Sequence, residues 1–324
     1  MLNYKYIIGG SPNDYYDACY SDVINCPEVE YFRTPIDGAN PVLRFLFNRH
    51  FGGRINSFID LPGKSFWNRY MLKGNQKKTD KVCFLLFSHY LQYVDLGFIS
   101  HLRRTYPNCK IVMFFQDLVR KSKYEYPERI KEQFDLVLSF DQDDCKNYGF
   151  EYYPLVYSAV SVQDDPDLKE SDIYFVGKAK DRFSDIIRVF TKCYNAGLRC
   201  DFNIVGVPEE QQIYKDKINY CSQMPYKQNL CHIKKTRCML EIMQGGGSGY
   251  TLRYCEMIAM GKPMITNNQQ IVNAEFFNPR YISVFTEDTN FDIEFVKNAM
   301  EHVDYGYLEK LSPIKLLDFI DAKL

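Results

Sequence analysis

The residues best suited to do chemistry lie between Gln244 and Asn268, in the run QGGGSGYTLRYCEMIAMGKPMITNN. An apolar strand pattern ends in Gly245-Gly246-Gly247-Ser248-Gly249, and a helical pattern opens directly after it. Glycines let a ligand come close to the backbone, and a helix N-terminus offers free N–H groups and partial positive charge to a diphosphate. Gly247, Ser248 and Gly249 are the candidate loop contacts, Thr251 adds a hydroxyl in the first turn, and Arg253 adds a planar cation that matches phosphate. Glu256 is a carboxylate able to accept both hydroxyls of a ribose. Arg253 and Glu256 also fit a bland alternative, an exposed i,i+3 ion pair of small energetic consequence.

A second cluster, Phe175-Val176-Gly177-Lys178-Ala179-Lys180-Asp181-Arg182, ends another apolar strand. Gly177 permits a tight turn, and Lys178 followed by Arg182 are the preferred contacts for a diphosphate, whose departure they would also stabilise. Tyr226 lies between the two clusters in sequence, and two readings stand: a ring stacked on a nucleotide base, or a helix-start residue packed inward. A general base is expected at a strand's carboxyl end, which nominates His89 after Lys81 to Phe87, Asp117 after Lys110 to Phe115, and Asp141 after Leu136 to Phe140. Asp117 fits a helix cap equally well. The acidic run Asp141-Gln142-Asp143-Asp144 reads as a helix N-terminus rather than a metal site.

These residues need a scaffold, and its pattern runs the whole length. Short apolar runs alternate with amphipathic stretches, as in a parallel α/β sheet. Strands are expected at Lys5 to Ile8, Lys81 to Phe87, Lys110 to Phe115, Leu136 to Phe140 and Tyr152 to Val156, with helices at Leu91 to Arg104 and Glu128 to Gln133. Ser158 to Ser171 is polar and acidic and reads as a linker. The pattern restarts at Asp172, continuing with a helix at Phe183 to Ala196, strands at Asp201 to Val205 and Cys238 to Met243, a helix at Tyr250 to Met260 and a strand at Pro263 to Thr266. Ser312-Pro313 opens a terminal helix. The division expected is 1–160, 172–311, and a helix 312–324 that crosses back to the first part.

Composition narrows the class. The chain has 324 residues, 46% hydrophobic and 25% charged, values of an ordinary globular protein large enough for two domains. A net charge of −1 argues against nucleic acid as the main partner. Eleven cysteines, scattered without a Cys-x-x-Cys pair, read as free thiols of a reducing compartment. The first residues lack the apolar core of a signal peptide and no run of roughly eighteen apolar residues occurs. The expectation is a cytoplasmic protein.

The 244–268 segment resembles the donor-binding signature of bacterial GT-B-fold glycosyltransferases of capsule, exopolysaccharide and lipopolysaccharide biosynthesis. The carriers are Thr251-Leu252-Arg253-x-x-Glu256, then Gly261-Lys262 and Ile265-Thr266-Asn267-Asn268. The likeness spans about 172 to 270 and thins in the first half. It implies two Rossmann-like domains with the active site in the cleft between them. It further implies a nucleotide-sugar donor of UDP or GDP type, no metal, and a glycan or lipid-linked acceptor. By the same likeness Glu256 binds the ribose, while the glycine loop, Thr251 and Arg253 hold diphosphate and sugar. Many retaining members carry a second glutamate eight positions earlier; here that position is Ser248, which leaves retention or inversion open. An epimerase or hydrolase on the same fold, and a non-catalytic sugar-nucleotide-binding subunit, are the rival readings. A dehydrogenase is disfavoured, because Gly9-Gly10 lacks the rest of a Gly-x-Gly-x-x-Gly pattern.

One stretch remains. Arg44, Arg49, Arg54, Lys64, Arg69, Lys73, Lys77, Lys78 and Lys81 face only Asp60 and Asp80, and Phe45, Phe47, Phe51, Phe58, Phe66 and Trp67 interleave with them. Such a mixture suits peripheral docking on an anionic membrane or a lipid-diphosphate acceptor. It also suits a solvated helix packed by its aromatic face.

Overall fold

The computed structural model describes residues 2–52, 61–119, 127–244, 249–286 and 291–324. The chain divides into two compact units, Met1–Val156 with Ser312–Leu324, and Tyr157–Leu311. Each is built on a six-stranded sheet whose pairings are all parallel.

In the first unit the strands are β1 (Lys5–Gly9), β2 (Val29–Phe32), β3 (Val82–Phe87), β4 (Lys110–Phe115), β5 (Leu136–Ser139) and β6 (Glu151–Tyr152), in the order β2-β1-β3-β4-β5-β6. β3 reads VCFLLF with every residue buried, because helices cover both faces of a parallel sheet and leave no position for a polar side chain. The terminal helix Pro313–Lys323, capped by Ser312, packs on this unit. The hydroxyl of buried Tyr6 in β1 donates to Asp321 Oδ1 at 2.6 Å and Leu317 O at 3.1 Å.

The second unit holds β7 (Ser171–Lys178), β8 (Cys200–Val205), β9 (Asn219–Cys221), β10 (Thr236–Glu241), β11 (Met264–Thr266) and β12 (Ile282–Val284), ordered β12-β11-β10-β7-β8-β9. From β7 the chain winds outward to β9, then restarts on β7's other side with β10. That is the doubly wound Rossmann order, whose switch point falls between β7 and β10. The helix Phe183–Asn195 buries Ile186, Val189, Phe190 and Cys193, one stripe at helical spacing, against this sheet.

Several elements differ from the sequence expectation. The single helix over Leu91 to Arg104 is two pieces, a 3-10 turn Ser88–Tyr93 and a helix Phe98–Thr105, separated where Gly97 takes φ +73°. β6 stops at Tyr152, since Pro154 has no N–H to continue a ladder. The polar run after Val156 lies along the helix Tyr226–Lys235 rather than hanging free. Lys234 Nζ donates to Val162 O at 3.0 Å, and Lys235 pairs with Asp164 at 3.1 Å. Short strands β2, β9 and β12 gave no readable alternation over three or four residues.

Candidate active site

The carboxyl ends of β7 and β10 bring the two sequence clusters together. Their register pairs Cys238 with Ile173 and Met239 with Tyr174, so the segment after Lys178 and the segment after Glu241 emerge side by side. Gly247 and Ser248 lie outside the described residues; Gly249 is the first described residue after them. Thr251 caps the helix Leu252–Met260, its hydroxyl accepting from Arg253 N–H at 3.2 Å, and Gly261 closes that helix at φ +60°.

The four cations of this end have different duties. Arg182 reaches across the strand ends: its Nε donates to Lys178 O at 3.1 Å, and its Nη1 to Ile242 O. Its guanidinium lies over the Phe175 ring at 5.6 Å. This is what Gly177 is for, since a Cβ there would stand 2.6 Å from Arg182 Nη2. Arg253 is equally committed. It binds Glu256 Oε2 at 2.7 Å, Asn229 Oδ1 at 3.4 Å and Val176 O at 3.1 Å. Both arginines, expected to hold a diphosphate, are thus spent tying β10's side of the sheet to β7. Lys178 and Lys180 are exposed. Lys180 holds Gln244 Oε1 at 2.9 Å from a backbone at φ +44°, a left-handed conformation that costs a lysine roughly 1–2 kcal/mol. Among the described residues Lys178 has no hydrogen-bond or ion-pair partner for its ammonium.

Glu256 is 2% exposed. Besides Arg253 it accepts from Asn229 Nδ2 at 2.9 Å, and Asn229 in turn accepts from the Tyr174 hydroxyl at 2.9 Å. The i,i+3 pair is therefore buried and networked, the opposite of the bland surface pair its spacing allowed. Two of the roughly four lone-pair positions of the carboxylate are taken. A second carboxylate, Glu241, ends β10 and is 5% exposed. It accepts from the hydroxyls of Thr251 and Thr266, the latter at 3.0 Å, so it anchors the cap of the helix from below. Burial pushes its carboxyl above the ordinary carboxylate range, against the pull of those hydrogen bonds. Sequence reasoning passed over Glu241 and Asn229. A glutamate inside the buried run Met239-Leu240-Glu241-Ile242 was the available signal for the first; nothing marked the second.

Tyr226 begins its helix, half-buried, with its hydroxyl 2.7 Å from that of Tyr157.

In the first unit the three base candidates sit on successive strand ends, with strands spaced about 4.8 Å apart. Asp141 is the N-cap of the helix Gln142–Tyr148, accepting from Asp144 N–H at 3.0 Å and 3% exposed. Its Oδ1 holds the start of that helix. Asp117, exposed, accepts from Leu118 N–H at 2.8 Å, a contact to the adjacent residue rather than a helix cap. His89 stands in the turn after β3 against Tyr90, ring centroids 4.6 Å apart. Its Nε2 is buried without a hydrogen-bond partner among the described residues, as is Nε2 of Gln116 on the neighbouring strand end.

Burial lowers the His89 pKa to about 4, so the ring is neutral near pH 7. Because the folded value lies below the ordinary 6.5, protonation favours unfolding. The His89 contribution is fully present above pH 6.5 and is expected to fall by about 3 kcal/mol in total as pH drops from about 6.5 to about 4. Denaturant titrations across that range check this. His89→Gln should flatten the decline, and an unchanged profile would show another group responsible.

Among the described residues no group of three or more His, Cys, Asp or Glu is placed to hold a metal ion, and no helix is long and apolar enough to cross a membrane. None of the eleven cysteines is joined in a disulfide.

No protein-family model matches the sequence, and no curated protein matches it. Solved structures do resemble it. Sucrose-phosphate synthase from Thermosynechococcus elongatus superposes with a TM-score of 0.51 at 12% identity, covering 98% of this chain and 87% of that one. An alpha-glucosyltransferase in complex with UDP and a 13-mer DNA containing a central A:G mismatch gives 0.51 at 11% identity, covering 98% and 90%. At such identities the likeness establishes the fold. The chain is an α/β protein of two Rossmann-like domains, as in GT-B glycosyltransferases.

Proposed function

We propose that the chain is a glycosyltransferase that moves a sugar from a UDP- or GDP-type nucleotide donor to a growing cell-surface glycan or a lipid-linked acceptor. The observation that carries the reading is the β7–β10 switch point, where exposed Lys178 and Lys180 stand beside the capped N-terminus of the helix Leu252–Met260. Open α/β sheets take their ligands at such a point, and cations with a helix N-terminus are the means of holding a diphosphate.

In this reading Lys178 and Lys180 meet the diphosphate and stabilise its charge as the sugar leaves. Arg182 and Arg253 hold the strand ends and the helix in register. Glu256 uses its two remaining lone-pair positions for the ribose hydroxyls. Tyr226 borders the same end of the sheet, and His89 and Asp117 are the candidates to deprotonate an acceptor hydroxyl. The resemblance of the Thr251-Leu252-Arg253-x-x-Glu256 run to capsule and lipopolysaccharide enzymes supports the acceptor class.

A panel of nucleotide sugars tests the proposal by thermal stabilisation. A ligand at a hundred times its Kd adds about 2.7 kcal/mol. One UDP- or GDP-sugar is expected to raise the midpoint well above the others, and nucleoside diphosphate release should then require an acceptor. No stabilisation by any member of the panel would sink the reading. Release at full rate without acceptor would favour a hydrolase.

A further inference from the structure

The helix Pro41–Phe51 presents apolar residues in two directions. Leu43, Phe47 and Phe51 pack toward the core of the first unit. Val42, Phe45 and Leu46 point away from it, 67%, 61% and 47% exposed. At 3.6 residues per turn, positions 42, 45, 46 and 49 form one stripe about 100° wide, well separated from the core-facing one. Folding does not use this stripe, and polar residues there would have served solubility better.

The neighbouring 3-10 turn Lys64–Arg69 is fastened to the same helix. Trp67 Nε1 donates to His50 Nδ1 at 2.9 Å, and the Trp67 and Phe47 rings meet edge to face at 5.4 Å. It adds Phe66, 46% exposed. Cations flank the apolar residues closely: Arg49 lies over the Phe45 ring at 5.6 Å and Arg69 over Phe66 at 4.5 Å. Arg44 is exposed on the helix. No acidic residue occurs in 41–52 or 61–79.

We propose that this face docks on an anionic lipid bilayer, with Val42, Phe45, Leu46 and Phe66 entering the headgroup–acyl boundary and Arg44, Arg49 and Arg69 on the lipid phosphates. Aliphatic and aromatic side chains ringed by cations match a surface that is anionic outside and apolar beneath. A nucleic-acid backbone meets the charges but gives Val42 and Leu46 nothing to enter. This specifies the basic stretch read in the sequence: its apolar anchor sits in its first helix.

The test is cosedimentation of the full chain with vesicles of phosphatidylglycerol and phosphatidylcholine in equal parts, and with phosphatidylcholine alone. Binding to the anionic vesicles is expected, weakening as salt shortens the Debye length from about 10 Å at 0.1 M to about 3 Å at 1 M. Phe45→Ser with Leu46→Ser should lower partitioning roughly tenfold or more, as should Arg44→Gln with Arg49→Gln at low salt. As a readout independent of folding losses, Phe45→Trp should shift its emission to the blue on adding anionic vesicles, against the background of buried Trp67. Absence of binding at low salt overturns the proposal, and so does binding indifferent to the Phe45 and Leu46 replacements. Retention on duplex DNA with the same sensitivity to both double variants also overturns it, in favour of a nucleic-acid face. Nucleotide-sugar stabilisation is measured separately on the same protein, so failure here leaves the donor-site reading standing, and the reverse holds.

Discussion

Glu256→Ala is expected to lower the thermal midpoint by roughly 6–12 °C. The substitution strips the counter-charge from Arg253, whose side chain is only 18% exposed while that of Glu256 is 3% exposed. Breaking a buried pair from one side costs about 3 kcal/mol or more, because the remaining charge stays desolvated. In a domain of roughly 150 residues each kcal/mol moves the midpoint by about 2–4 °C. The damage should spread through Asn229, which loses its Oε1 acceptor while keeping Tyr174. Glu256→Gln retains a hydrogen-bonding group of the same shape and should lose much less. If both variants melt like the parent protein, the network is not carrying the helix Leu252–Met260. Ribose recognition is separable in the glutamine variant, measured below its midpoint. Affinity for the free nucleoside should drop along with affinity for the diphosphate, and an unchanged nucleoside affinity would take Glu256 out of the site.

The second large effect is expected from Lys178→Ala combined with Lys180→Ala. A charged hydrogen bond to phosphate contributes about 1.5–3 kcal/mol, so losing two should weaken nucleoside diphosphate binding by roughly a hundredfold or more while the free nucleoside binds as before. Folding should be little affected, since both lysines are exposed and alanine keeps the same Cβ at position 180, giving up only the Lys180–Gln244 contact. Arg182→Ala is the contrasting variant. It removes donors from Lys178 O and Ile242 O and should destabilise the protein first. Equal binding losses for diphosphate and nucleoside in the lysine variant would place the effect on the fold. Loss of binding only in the arginine variant would reverse the assignment of duties.

The contrast between these cations marks what the sequence alone could establish. Local signals were legible: the all-apolar run of β3, Gly261 at the end of the helix read from Tyr250, and Ser312-Pro313 opening the last helix. Caps, period and turn chemistry act within a few residues, so spacing is enough to read them. The α/β class with a Rossmann-like second half followed from those elements in sequence. Only the tertiary structure decided which charges remain available. Arg182 finds Ile242 sixty residues away, and Arg253 finds Val176 seventy-seven residues away. No spacing rule covers such partners, because they meet only when β10 inserts beside β7 rather than beside β9. The same long-range pairing turned Arg253 and Glu256 from a surface couple into a buried one with Asn229. In the first unit the Asp141 cap is local, reaching only Asp144, whereas the burial that keeps His89 neutral in the turn after β3 comes from the tertiary fold. Sequence named the residue types at the strand ends; the order of the strands determined which of them face a ligand and which hold the sheet together.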